Sequence, residues 1–128
     1  MCSVDEFRVD VPWGVVRIEA IGSSLGIPEI DPLESPAEGN RECVVVAVVH
    51  GDIGPVDISV SLQDGEDEGT CVYDDVLRVL GEGVEVADLV GDDFSHRYDL
   101  PEGDASVRVC VDDPGEAQRV LIRIVAKA

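Results

Sequence analysis

Apolar and polar residues alternate with a period of two along most of the chain. Phe7, Val9 and Val11 alternate with Arg8 and Asp10, and within Val15 to Ile21 the apolar Val16, Ile18 and Ala20 alternate with Arg17 and Glu19. The same rhythm runs through Val56, Ile58, Val60 and Leu62, and through Phe94, His96, Tyr98 and Leu100. It returns in Val107, Val109 and Val111, and in Val120, Ile122, Ile124 and Ala126. Successive side chains of a strand point to opposite faces, so each run predicts a strand with one buried face. Ile58 and Val109 are accordingly expected in the core. Cys43 to Val49 is apolar without interruption, the pattern of a strand buried on both faces. Shorter candidates, Cys71 to Tyr73, Val76 to Leu80 and Val84 to Val90, group around Gly81 and Gly83.

Turn-forming residues separate these runs. Pro12-Trp13-Gly14 reads as a bend, and Pro101-Glu102-Gly103-Asp104 and Asp112-Asp113-Pro114-Gly115 as tight turns. Gly22 to Asn40 carries Pro28, Pro32 and Pro36, which exclude a helix interior and predict a long surface loop or extended edge over 22–40. Asp74 to Gly81 competes as a helix, but its β-branched content argues for a strand. Strands recurring at a spacing of about 8 to 12 residues predict an all-β fold. The expectation is a single-domain antiparallel β-sandwich over residues 1–128, with about seven to nine strands.

Composition narrows the function. Hydrophobic residues make up 45% of 128 residues, enough for a packed core. Asp and Glu number 28 against 9 Lys and Arg, a net charge of −19 that repels nucleic-acid phosphates and anionic lipid. Neither is an expected partner. No apolar run approaches the roughly 18 residues of a membrane helix. Met1-Cys2-Ser3-Val4-Asp5-Glu6 turns acidic at once and has neither the basic head nor the apolar core of a secretory signal. Cys2, Cys43, Cys71 and Cys110 are too widely spaced for a CxxC knuckle, and the last three sit in apolar runs where a reduced thiol acts as a small hydrophobe. An even count also permits two disulfides in a secreted protein. The reading adopted is a reduced protein of the cytoplasm.

Catalytic chemistry finds little support. His50 and His96 lack a local Cys–His signature, and two histidines with scattered cysteines make a poor zinc set. Gly81-Glu82-Gly83 lacks the third glycine of a phosphate cradle. No pair of carboxylates is singled out for glycoside hydrolysis. Calcium is the metal to weigh, because Asp64, Glu66, Glu68 and Gly69 fall at the first, third, fifth and sixth places of a calcium loop, with Asp75 at the twelfth. Val72 at the ninth place, and strands where helices should flank, argue instead for a solvated acidic hairpin loop. No metal, no cofactor and no enzyme activity are expected.

Tyr98-Asp99-Leu100-Pro101-Glu102-Gly103-Asp104, followed by Val107-Arg108-Val109-Cys110-Val111, resembles the strand–turn–strand near the end of competence protein J. The likeness extends upstream through an N-terminal strand pair, a long loop, the apolar Cys43–Val49 strand and a charged turn, and the length matches. That family comprises small bacterial inhibitors of a DNA-entry nuclease, so the resemblance implies an inhibitor. The charge points the same way, since a nuclease cleft is basic and carboxylates can stand where phosphates would lie. The expected function is an immunity-like protein that neutralises a basic partner, a nuclease or related toxin. Asp64, Glu66, Asp67 and Glu68 form the first candidate patch, with Asp92 and Asp93 the second. The rival reading is a non-catalytic structural or calcium-binding sandwich whose acidity reflects its host.

Overall fold

The computed structural model describes residues 4–30, 34–63, 65, 69–89 and 94–127. These form β1 (Val4–Val9), β2 (Val15–Ala20), β3 (Ala37–Gly39), β4 (Cys43–Ala47) and β5 (Val56–Ser61). Then follow β6 (Thr70–Val79), β7 (Val84–Asp88), β8 (Ser95–Tyr98), β9 (Gly103–Val111) and β10 (Arg119–Ala126). One sheet has the order β1-β5-β10-β9-β6 and the other β3-β4-β2-β7-β8. The two pack face to face as a β-sandwich.

The alternating runs set the inner faces. Val56, Ile58 and Val60 of β5, Val107, Val109 and Val111 of β9, and Val120, Ile122 and Ile124 of β10 are buried in one cluster. Val16 and Ile18 of β2, Val44 and Val46 of β4, and Val84 and Val86 of β7 meet them from the opposite sheet. Ile58 and Val109 lie in this core, as the alternation requires. The unbroken Cys43–Ala47 run is buried on both faces, and a second small cluster of Val15, Cys43 and Val45 lies outside the second sheet under Ile30 and Leu89.

Several boundaries differ from those expected, each for a local reason. Ala37–Gly39, inside the 22–40 stretch, pairs with β4 as a short edge strand once the chain has passed Pro36. Gly39 allows it, because a Cβ there would lie 2.3 Å from the Tyr73 hydroxyl. Cys71 to Tyr73 and Val76 to Leu80 belong to one strand, β6, whose register against β9 slips between Cys71 and Tyr73. A bulge inserts one residue and shifts the alternation, which is why one strand reads as two. Cys71 consequently lies exposed, not in an apolar environment. Gly103 and Asp104, read as turn, open β9. These described residues hold ten strands, above the seven to nine expected, and β5 pairs with β10 in parallel while the other pairings are antiparallel.

Strand order dictates where the connections run. β2 ends at the opposite end of the second sheet from the start of β3, and Ile30 packs on Val15, Cys43 and Val45 on that sheet's outer face. β5 and β6 are separated by β10 and β9.

Candidate partner-binding surface

Asp64, Glu66, Asp67, Glu68, Asp92 and Asp93 all lie outside the described residues. The structure does describe what surrounds them in sequence. Ser61 and Thr70, on either side of the 62–69 stretch, belong to strands that do not pair, because β10 and β9 stand between β5 and β6. Arg123 donates from Nη1 to the Gln63 carbonyl at 3.3 Å, and a Cβ on Gly65 would sit 2.6 Å from the same nitrogen. Gly69, at φ +82°, approaches the Val111 carbonyl so closely that only glycine fits. Arg123 stands directly opposite Arg108, which donates to Asp74 at 3.2 Å.

The acidity of the chain is therefore unevenly spread. The outer face of the first sheet carries Arg8, Arg78, Arg108, Arg119 and Arg123, five of the eight arginines. Arg8 grips Asp57 with two hydrogen bonds, 2.7 and 3.2 Å, and holds its carboxyl below the usual carboxylate range, with Arg119 adding a smaller attraction. A shallow groove of about 570 Å³ follows this face past Arg8, Asp57, Ser59, Cys110 and Arg119. A second groove, about 830 Å³, opens between β6 and the β3–β4 turn beside Asn40, Arg41, Tyr73, Asp75 and Arg78. Neither presents a thiol or hydroxyl to a histidine. Among the described residues no group of three or more His, Cys, Asp or Glu is placed to hold a metal ion.

The two histidines face carboxylates and a phenyl ring. His96 stacks on Phe7 with ring centres 3.9 Å apart, its Nδ1 3.8 Å from Asp5. The Tyr98 hydroxyl donates to Asp5 at 2.8 Å, so β1 and β8 close one side of the sandwich with side chains. His50 lies 3.6 Å from Asp52 on an exposed turn.

Buried protons make the fold sensitive to alkali. Burial, reinforced by the Glu19 carboxylate, pushes the Cys43 thiol up to about 12 from an ordinary 9.0. Burial likewise raises Tyr73 and Tyr98, with Asp75 and the Asp5 hydrogen bond as the next causes. Each group holds its proton more tightly folded than unfolded. Its stabilisation is complete below its unfolded value and drains away as pH rises through the folded one. The urea midpoint should be flat from pH 7 to 8.5 and fall steadily between about pH 9 and 12. Cys43→Ala should flatten the first part of that fall; an unchanged profile would mean that the thiol ionises in the native state.

Together these elements define an all-β sandwich, with ten strands among the described residues. The fold is shared, over the whole chain, with the crystal structure of ComJ, inhibitor of the DNA degrading activity of NucA, from Bacillus subtilis: TM-score 0.70, 12% identity, 99% of each chain covered. It is also shared with a protein described as Crocagin biosynthetic gene J, at TM-score 0.62 and 10% identity, covering 100% of this chain and 99% of that one. No family model matches the chain, and no curated protein matches it in sequence. The likeness to competence protein J read from residues 98–111 is thus a likeness of fold, and those residues form the end of β8, a turn and β9.

Proposed function

We propose that the chain is a non-catalytic inhibitor that binds a basic nuclease, or a related toxin, in the cytoplasm and blocks its cleft with carboxylates. The observation that carries this reading is the fold shared end to end with ComJ. The net charge of −19 supports it, because a strongly acidic surface speeds its encounter with a basic cleft. Asp64, Glu66, Asp67 and Glu68 remain the first candidate patch and Asp92 with Asp93 the second. Purified chain at equimolar concentration should abolish DNA cleavage by the nuclease it serves. The combined Asp64→Asn, Glu66→Gln, Asp67→Asn and Glu68→Gln variant should associate at least about tenfold more slowly at low salt, with a flatter salt dependence. Unimpaired DNA cleavage under excess chain would sink the inhibitor reading; an unchanged rate and salt slope would sink the patch alone.

A further inference from the structure

One end of the sandwich gathers the β1–β2 turn, the β4–β5 connection and the β9–β10 turn. Backbone hydrogen bonds tie them together: Gly51 N–H to the Val11 carbonyl at 2.9 Å, Val48 N–H to Gly14 at 2.9 Å, and Val49 N–H to Ala117 at 3.0 Å.

Within that first turn the Gly14 N–H donates to the Val11 carbonyl at 3.2 Å, and Trp13 between them has φ 64° and ψ −1°. Those angles belong to the third position of a type II turn, which glycine normally fills because a side chain is disfavoured there. Gly14 cannot exchange roles with it, for a Cβ at Gly14 would lie 2.9 Å from the Val48 carbonyl. The chain thus carries its single tryptophan on a backbone conformation that resists a side chain, with the residue 68% exposed. On the neighbouring turn Ile53 is 74% exposed. Neither belongs to the core clusters, so the fold gains little from either. Asp10, Asp52, Asp113 and Glu116 are exposed on the same three loops.

We propose that this end is a docking surface for a basic protein, with Trp13 as its anchor and Ile53 on the adjoining turn. A large aromatic amid carboxylates matches an apolar pocket rimmed by lysine and arginine, the arrangement that concentrates binding energy at interfaces. A second copy of this chain does not fit, because two acidic ends repel. The proposal takes its partner, a nuclease, from the inhibitor reading. The carboxylates govern the rate of encounter, and the indole governs how long the complex lasts.

The test uses the full chain with 5-fluorotryptophan incorporated, and NucA and the nucleases of the chain's own genome as probes. One tryptophan gives one fluorine resonance. It should shift on binding, and Trp13→Gly should weaken binding at least about thirty-fold through faster dissociation. Trp13→Gly should fold as well as the parent or better, since glycine accepts the turn. Leu25→Ser, altering an exposed residue that follows β2, should bind normally. Binding with a shifted resonance but undiminished DNA cleavage supports the surface and overturns the inhibitor reading. Inhibition with an unmoved resonance, or full potency in Trp13→Gly, overturns the surface and leaves that reading intact. No binding to any probe overturns both.

Discussion

Replacing Arg17 with methionine should destabilise the fold by about 3–5 kcal/mol, the range seen when one partner of a buried charge cluster is removed. Arg17 is on the outward face of β2, yet it is only 8% exposed, because Ile30 and Leu89 cover the neighbouring apolar cluster on that face. Its guanidinium donates to Glu19, to Glu85 at 2.9 Å, and from Nε to the Asp88 carbonyl at 3.3 Å. Glu19 and Glu85 stand directly opposite one another in the β2–β7 register. Without the cation, two poorly hydrated carboxylates face each other across neighbouring strands, relieved at Glu85 by the Ser95 hydroxyl, which donates to it at 2.6 Å, and by the longer 3.9 Å contact of Arg97. Combining Arg17→Met with Glu19→Gln and Glu85→Gln should recover most of the loss, since neutral amides need no counter-charge. Urea denaturation reads both effects. A single variant costing under about 1 kcal/mol would mean that water reaches the cluster and the pair behaves as a surface one.

A comparable loss is expected in the core. Ile58→Ala should cost about 2–5 kcal/mol, because the vacated space is walled by Val120 alongside it and by Phe7 across the other pairing, neither of which can follow it inward. Ser59→Ala, one position along and facing outward, should stay within about 0.5 kcal/mol. The contrast tests strand orientation directly, since a slip of one residue would exchange the two results. Equal effects at both positions would contradict the register of β5.

That orientation was legible in the sequence because β5, β9 and β10 each bury one face and wet the other, leaving a period of two in the residues themselves. Where the period breaks, reading fails. The bulge at Cys71/Tyr73 splits β6 into two apparent strands, and β3 is too short for any period to show. Arg17 reads as an exposed residue of an alternating strand, because nothing local records that a distant segment will fold over it. The place of the Asp64–Glu68 segment depends on strand order, and order is a property of pairings between remote residues, not of any window along the chain. The docking end carried one local signal that was read only as a bend: Pro12-Trp13-Gly14 puts a bulky aromatic where a turn prefers glycine.

The parallel pairing of β5 with β10 has a consequence for how the molecule comes into being. β1 and β5 make one antiparallel pair, β6 and β9 another, and within their sheet β10 alone joins the two. Ile58 and Val120, aligned across that junction, lie roughly sixty positions apart in the chain. On the ribosome, β5 therefore emerges and waits with one edge unfilled until β10 appears. Closing so long a loop before any contact rewards it makes folding slow, and leaves an apolar strand edge open for association meanwhile. The carboxylates crowding this chain act on that waiting state as well, because nascent copies with the same heavy negative charge repel one another before their sheets are complete.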